Sequence, residues 1–238
     1  MISIVCWKWT DPAYDHPLLP EYYNIMLAML KRHISPDIDW QFVVIGDDSQ
    51  GLSMEAEFFQ LPETKADPAR NPYGDKFPSC YRRLWLFSKE AECLGDRILN
   101  IDVDAIIVKN IDNILLREES FVGWTDPQFK WKKVAGGLYS LTAGAHTDVW
   151  DDFDPVHSPQ HAKAAGCFGS DQGYMSMKLY PPPGEYTRQD GAYYAKWMPR
   201  AGRDLNDEAR IIQTPGGLKP WMKQANVAYP WMHMHWRL

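Results

Sequence analysis

The stretch from Arg97 to Val108 constrains the fold of this chain more than any other, because two aspartates interrupt an apolar, β-branched run. A run of this kind predicts a buried strand. Side chains two residues apart on a strand point to the same face, so extended geometry would bring Asp102 and Asp104 together. Two buried like charges are costly without a counter-charge, and a divalent cation is the simplest one.

A second interpretation of this stretch needs no metal. The strand would end at Asn100, and Asp102 and Asp104 would then cap a turn. We favour a metal site because the apolar pattern resumes at once over residues 105–108.

Length and charge limit the classes of protein to consider. The 238 residues suit one α/β domain, and no repeat or linker divides them. A net charge of -6 argues against a broad phosphate-binding surface for nucleic acid. The N-terminal residues lack the basic and apolar regions of a secretion signal, and no apolar run approaches the roughly 18 residues of a membrane span. These features predict a cytoplasmic protein without a transmembrane segment.

Strands and helices alternate in the first half of the chain. We predict strands at residues 2–9 and 40–45, with a helix between them that starts near Pro20 and ends near His33. Apolar residues spaced by three and four over residues 84–94 predict another helix. This alternation implies a mostly parallel sheet covered on both faces by helices.

The second half of the chain has a less regular pattern. We predict strands at residues 134–142 and 209–213, a helix that opens at Ser170, and a loop over residues 154–169. His157 and His161 in that loop are four residues apart, but the proline between them disfavours a helical metal pair.

Two short motifs have the features of ligand-binding sites. Asp48 follows the strand at residues 40–45, and acidic residues at such strand ends commonly bind a ribose or a base, although a solvated turn is equally compatible with the sequence. Gly136 and Gly137 open a strand, where a backbone without side chains lets a ligand approach closely.

The order of five elements resembles the retaining glycosyltransferases of the GT-A fold, in particular the glycogenin and lipopolysaccharide galactosyltransferase family. These elements are Tyr81 to Leu84, Asp102 to Asp104, Gly136 and Gly137, Asp171 and Gln172, and Gly216 to Trp221. The two aspartates alone would be a weak signal, but five elements in family order are specific. The resemblance implies an α/β fold of the GT-A type, with a Rossmann-like, mostly parallel sheet flanked by helices and a smaller mixed C-terminal part.

The resemblance also implies how the donor is bound. Asp102 and Asp104 would hold Mn²⁺ or Mg²⁺ on the diphosphate of a nucleotide sugar. Arg83 would contact the donor and the aspartate pair, and Lys219 would bind a phosphate. Transfer requires neutralisation of the leaving diphosphate, and these cations are suited to it.

The resemblance places Asp171 and Gln172 beside the reacting sugar carbon, where a carboxylate or an amide would stabilise developing positive charge. A helix cap is the alternative role for Asp171, and it does not exclude a catalytic one. Trp9, just after the first strand, is a candidate for the nucleotide-base pocket, with a place in the core or on the acceptor surface as the alternative.

The sequence departs from the family pattern at two positions. The family usually has a histidine metal ligand six residues before the lysine, and Gln213 stands there in this chain. An amide oxygen is a poorer ligand than imidazole, but Mn²⁺ and Mg²⁺ accept oxygen, so Gln213 stays open as the third metal ligand. His233 or His235 in the tail could instead supply the missing nitrogen, and of these we favour His235, with packing as the alternative for both. Ala135 stands where the family usually has an asparagine that contacts a sugar hydroxyl.

The sequence thus predicts a metal-dependent glycosyltransferase with a single domain, residues 1–238. The resemblance implies a nucleotide-binding half at 1–125, an acceptor-binding and closing half at 126–238, a UDP-sugar as donor and retention of configuration. The alternatives are a nucleotidyltransferase on a related fold and a catalytically inactive nucleotide-sugar binding module. The sequence does not decide whether the acceptor is a glycan, a lipid-linked sugar, a protein or a small molecule. The acidic net charge disfavours a nucleic-acid base as the acceptor.

Overall fold

The larger of two sheets has seven strands and is mostly parallel, as the alternation of strands and helices predicted. In the computed structural model, residues 1–11, 13, 17–125, 134–198, 205–214 and 219–238 are described. The strands are β1 (Ile2–Lys8), β2 (Trp40–Gly46), β3 (Glu57–Gln60), β4 (Arg97–Ile101), β5 (Ile106–Ile107), β6 (Phe121–Trp124), β7 (Leu138–Thr142), β8 (Gly184–Tyr186), β9 (Ala192–Tyr194) and β10 (Ile211–Gln213).

Helices cover both faces of this sheet, and an apolar core fills the space on each side. They are α1 (Pro20–His33), α2 (Asp112–Leu115), α3 (Asp148–Asp151), α4 (Ser158–Ala164), α5 (Asp171–Leu179), α6 (Lys223–Ala228) and α7 (Trp231–His235), with 3₁₀ helices at Tyr81–Phe87, Lys89–Leu94 and Ala195–Trp197. Of the helices described, none is long and apolar enough to cross a membrane.

The order of strands in the large sheet is β3-β2-β1-β4-β7-β6-β8. Strands β1 to β4 are mutually parallel, whereas β7 is antiparallel to β4. The start of β7 therefore lies at the same edge as the end of β4, and the Asp102 amide donates to the carbonyl of Gly137 over 3.0 Å. Ligands of open α/β sheets bind at this carboxyl edge.

The prediction of one strand from Arg97 to Val108 is wrong. Strand β4 ends at Ile101, and a turn follows in which the Ala105 amide donates to the Asp102 carbonyl over 3.0 Å. The apolar residues beyond the turn form β5, which pairs with β10 in a second sheet of order β5-β10-β9. The apolar pattern resumes because the chain enters a second core-facing sheet, so the interpretation with a turn was closer to the structure.

Two helical predictions also differ from the structure. The helix predicted over residues 84–94 is two 3₁₀ helices, and the Ser88 hydroxyl caps the second by accepting from the Ala91 amide over 3.3 Å. The predicted loop over residues 154–169 contains α4, because Pro159 occupies its first turn, where a missing N–H costs no helical hydrogen bond.

The end of the chain lies along α1. Arg32, in the last turn of this helix, donates to the carbonyls of Arg237 over 3.0 Å and of His235 over 2.8 Å. At the other end of the helix, the Tyr22 ring stacks on Trp221, with centroids 4.1 Å apart and planes at 4°. We call this arrangement of Arg32 and the two carbonyls the C-terminal strap.

Candidate active site

Arg83 lies at the centre of the residues that the sequence singled out. Its Nη1 atom is 2.7 Å from Asp102 Oδ1, and its Nε atom is 2.8 Å from Asp171 Oδ2. The same Nη1 donates to the carbonyl of Gly136 over 3.3 Å. A 3₁₀ helix, the turn after β4, the start of α5 and the segment before β7 thus meet at one guanidinium.

Burial governs the electrostatics of this group. The side chain of Asp171 is only 2% exposed, and burial raises the pKa of its carboxyl group while Arg83 acts to lower it. A buried carboxylate needs a paired cation to stay ionised at moderate cost. Arg83 therefore stabilises the ionised form of the Asp171 carboxyl group, which is largely excluded from water.

The two glycines before β7 allow the carboxylates to approach the backbone. A Cβ atom added to Gly137 would lie 2.6 Å from Asp102 Oδ2 and 3.2 Å from Gln213 Oε1. A Cβ atom added to Gly136 would lie 3.1 Å from Asp171 Oδ2. The requirement for glycine here is close approach of these carboxylates to the backbone. The sequence-based expectation that a ligand also approaches this backbone stays a prediction.

A second ion pair joins Asp104 to Lys219, with the Nζ atom against Oδ2. Thr214 ties the same segments together, because its hydroxyl donates to the Asp104 carbonyl over 2.9 Å. Burial raises the pKa of Asp104 against the lowering effect of Lys219. The ion pair thus joins two residues of the predicted diphosphate site that are 115 positions apart in the sequence.

The residues present fit a hard divalent cation. Within the described ranges, no group of three His, Cys, Asp or Glu side chains could hold a metal ion. Gln213, however, is buried and donates from Nε2 to the Gly137 carbonyl over 3.2 Å, which turns Oε1 towards Gly137 and Asp102 Oδ2. Two carboxylates and one amide oxygen form a set of oxygen donors of the kind that Mg²⁺ and Mn²⁺ accept.

The tail histidines lie elsewhere. His235 is next to the end of α1, where burial, Arg32 and Arg237 lower its pKa, and His233 is exposed on α7. The assignment of His235 as a metal ligand stays a prediction that the geometry does not favour, because Gln213 is the side chain that reaches the neighbourhood of Asp102.

Trp9 lies at the same edge of the sheet, buried against Trp7 with ring centroids 5.8 Å apart. It lines a cavity of about 460 Å³ and a smaller one of about 270 Å³. The walls of the larger cavity combine aromatic, arginine, amide and carboxylate side chains: Trp9, Thr10, Asp11, Ala13, Ala66, Asp67, Arg70, Asn71, Asp75, Phe77, Ser79 and Arg82. This composition and volume suit a small polar ligand.

Asp48 is held by Lys8 and lines neither of the two cavities beside Trp9. The Lys8 Nζ atom donates to the Asp48 carbonyl over 2.7 Å and lies 3.2 Å from Oδ2. The amide of Gln50 and Lys8 together lower the pKa of the Asp48 carboxyl group. The preceding residue, Asp47, belongs to the same acidic turn and lines the smaller cavity beside Trp9.

Gln172 is on the first turn of α5, where its Oε1 atom accepts from the Gly136 amide over 3.4 Å. Asn100 is a site residue that the sequence interpretation used only as a strand end. Its side chain is fully buried, accepts from Trp7 Nε1 and donates to the Gly136 carbonyl, each over 2.9 Å. The sequence signal that could have identified Asn100 was its amide side chain inside an otherwise apolar strand. The glycines of the Gly216–Trp221 motif, at 216 and 217, lie outside the described residues.

Two solved structures of a galactosyltransferase, LgtC, are similar to this chain. The first is a complex of LgtC with donor and acceptor sugar analogs, with a TM-score of 0.63 and 14% sequence identity over 94% of this chain and 91% of that chain. The fold is that of LgtC. The second is an active-site mutant of LgtC, with a TM-score of 0.60 and 13% identity over 94% and 90% of the two chains.

No family model matches the sequence, and no curated protein matches it either. The likeness to LgtC confirms the predicted GT-A type of α/β fold. It extends over nearly the whole chain, so the elements that carry Arg83, Asp102 and Asp171 belong to one fold.

Proposed function

We propose that this chain is a metal-dependent glycosyltransferase that moves a sugar from a nucleotide-diphosphate sugar to an acceptor hydroxyl. One observation carries the proposal: Arg83 bridges Asp102 and Asp171 beneath a glycine pair, at the ligand-binding edge of a fold shared with a galactosyltransferase. Charged groups concentrated in a buried site are typical of catalysis.

The donor diphosphate would bind where the cations converge. Lys219 and Arg83 lie on either side of the aspartates, and both can exchange a carboxylate partner for a phosphate. Asp102, Asp104 and Gln213 would hold Mn²⁺ or Mg²⁺, which supplies Lewis-acid stabilisation of the leaving diphosphate when bound.

The sugar would lie over the glycine pair, next to Asp171 and Gln172. Transfer breaks the bond between the anomeric carbon and the diphosphate oxygen and forms one to the acceptor oxygen, whose proton leaves with the diphosphate. The Gln172 oxygen, beside Gly136, and the Asp171 carboxylate would stabilise positive charge on that carbon. We propose retention of configuration and UDP as the nucleotide on the family resemblance.

The acceptor would enter from the larger cavity beside Trp9. Its volume of about 460 Å³ is large enough for one sugar residue, and Phe77 and Asn71 in its wall supply an apolar face and a hydrogen-bonding group. A glycan, a lipid-linked sugar, a glycosylated protein or a small hydroxylated molecule each presents such a group. The division into a nucleotide-binding half, 1–125, and an acceptor-binding half, 126–238, stays a prediction. An acceptor in this cavity would also contact the first half, because the residues that line the cavity lie between Trp9 and Arg82.

A screen of nucleotide sugars tests the proposal. We expect a UDP-sugar to raise the melting temperature only when Mn²⁺ or Mg²⁺ is present, and release of the free nucleoside diphosphate once an acceptor is supplied. Asp104→Ala should abolish both effects, while Asp37→Ala, which removes an exposed carboxylate, should leave them unchanged.

Two results would contradict the proposal. Pyrophosphate as the product would indicate a nucleotidyltransferase. Metal-dependent donor binding without nucleotide release, across a broad panel of acceptors, would indicate a binding module.

A further inference from the structure

Asn100 is a polar residue at a buried position of the sheet, where an apolar side chain is the usual occupant. It lies on the central strand β4 with no exposed surface, on the face where Trp7 and Tyr139 pack. An amide buried among apolar side chains is disfavoured unless its hydrogen bonds are made. Its neighbours on the strand, Leu99 and Ile101, are apolar and buried on the opposite face.

Asn100 makes hydrogen bonds in two directions. Its Oδ1 atom accepts from the indole Nε1 of Trp7, and its Nδ2 atom donates to the carbonyl of Gly136, both over 2.9 Å. Trp7 is itself on β1 and almost fully buried. The hydrogen bond from the Trp7 indole thus fixes the orientation of the Asn100 amide. The hydrogen bond from this amide in turn fixes the position of the Gly136 carbonyl.

The Gly136 carbonyl is shared between Asn100 and Arg83. Arg83 Nη1 donates to it over 3.3 Å, while the other contacts of this guanidinium are the carboxylates of Asp102 and Asp171. Of these three contacts, the one to Gly136 is to a backbone carbonyl, and Asn100 donates to the same carbonyl. A Cβ atom built on Gly136 would lie 3.1 Å from Asp171 Oδ2, so this backbone and the carboxylate are close neighbours.

We propose that Asn100, oriented by Trp7, is a positioning residue for the transfer reaction. It holds the Gly136 carbonyl so that Arg83 keeps its place when its contact to Asp102 is exchanged for one to the donor diphosphate. Asn100 touches neither donor nor acceptor and acts only through Gly136. The inference rests on the proposed function for its kinetic consequence, whereas the hydrogen-bonded chain itself can be tested without it.

Kinetics of three variants test the role. Asn100→Asp keeps the shape and the acceptor for Trp7 but, when ionised, cannot donate to Gly136. We expect kcat to fall about 10- to 100-fold with less than about a threefold change in KM for the donor, because a small misplacement of a binding group costs this much. Trp7→Phe should lower kcat in the same way, and the double variant should lose no more than Asn100→Asp alone.

Ser3→Ala is the matched control. It removes a fully buried hydroxyl from β1, near the start of the strand, where Ser3 pairs with Ile98. It should leave kcat unchanged even if it lowers the melting temperature as much as Asn100→Asp does. Unchanged kcat in folded Asn100→Asp, or an equal loss in Ser3→Ala, would overturn the proposal.

Hydrogen exchange separates failure of this inference from failure of the proposed function. The Nε atom of Arg83 lies 2.8 Å from Asp171 Oδ2 in a buried site, so the NMR signal of its N–H group in the wild-type chain should exchange slowly. Exchange at least about 10-fold faster in Asn100→Asp than in Ser3→Ala supports the positioning role, even if the wild type transfers no sugar. Equal exchange in the two variants overturns it, whatever the activity.

Discussion

Arg83 and Asp102 are in direct contact, with 2.7 Å between Nη1 and Oδ1, so a cation of the chain itself neutralises the carboxylate proposed to hold a metal. The same guanidinium is 2.8 Å from Asp171 Oδ2. One planar group therefore links the proposed metal site to the carboxylate beside the sugar. Arginine can do this because its nitrogens bond in several directions at once.

We expect Arg83→Lys to lower transfer activity by at least about 30-fold, because an ammonium group cannot span both carboxylates as the planar fork does. Arg97→Lys is the matched control, since Arg97 lies at the start of β4, away from this site, and donates to the Glu119 carbonyl over 3.0 Å and to Ser140 Oγ over 2.7 Å. It should keep activity within about threefold. Steady-state rates with the identified donor check this, and equal losses in both variants would contradict the role of Arg83.

Alanine in place of the two glycines should reduce donor binding by different amounts. Gly137→Ala would put its Cβ 2.6 Å from Asp102 Oδ2, whereas Gly136→Ala leaves 3.1 Å to Asp171 Oδ2. We therefore expect the larger loss of metal-dependent nucleotide affinity from Gly137→Ala, about 100-fold or more, since it displaces a proposed metal ligand. Calorimetric titration with UDP and Mn²⁺ measures both. A larger loss from Gly136→Ala would argue against this arrangement.

Gln213→His should change which metal the site prefers. Imidazole suits Zn²⁺ and Co²⁺ better than an amide oxygen does, so the ratio of Zn²⁺ to Mg²⁺ affinity should rise about 10-fold. Competition against the Mn²⁺ paramagnetic resonance signal, with UDP present, measures this ratio directly. Gln189→His, in an exposed turn, is the control. If both variants leave the ratio unchanged, Gln213 is not a ligand.

The ion pair between Glu119 and Arg117 should make stability depend on pH in the acid range. Hydrogen bonds from Arg117 Nε over 3.0 and 3.1 Å lower the pKa of Glu119 to about 2. A lowered carboxyl pKa stabilises the fold above the ordinary value near 4.3, and the stabilisation is lost as the pH falls towards 2. Because the side chain is 34% exposed, solvent screening limits it to about 1 kcal/mol.

Glu119→Gln should therefore lower the free energy of unfolding by about 1 kcal/mol at pH 7, with the difference closing between pH 4.3 and 2. Glu118→Gln, which alters the exposed neighbouring carboxylate, should change stability little at either pH. Urea titrations at several pH values provide the comparison. A difference that persists unchanged at pH 2 would mean that the effect of Glu119→Gln is not electrostatic.

Three elements at the start of the fold could be predicted from sequence because they are long and locally specified. The helix predicted to begin near Pro20 and end near His33 is α1, and the strands predicted at 2–9 and 40–45 are β1 and β2 to within one residue. Proline, charge placement and apolar periodicity determine such elements without help from distant residues.

Elements decided by tertiary contacts could not be predicted in this way. The apolar run from Arg97 to Val108 is consistent with one strand, and only the pairing of β5 with β10 shows that the chain turns at Asp102. Likewise, the family pattern singled out position 213, but the sequence could not show where the Gln213 amide points, because the hydrogen bond to Gly137 that orients it joins residues 76 positions apart. Sequence patterns singled out Asp102 and Asp104 as candidates, and the fold shows the cation that each contacts, Arg83 and Lys219.

The C-terminal strap has a consequence for the order in which this protein is made. Asp104 meets Lys219 only across 115 residues of chain, and the carbonyls that Arg32 holds are those of His235 and Arg237. Chains fold from the N-terminus as they leave the ribosome. The strands β1 to β4 can therefore form on a nascent chain in which Asp104 and Arg32 still lack these partners, and the proposed donor site is completed only after Lys219 has been made.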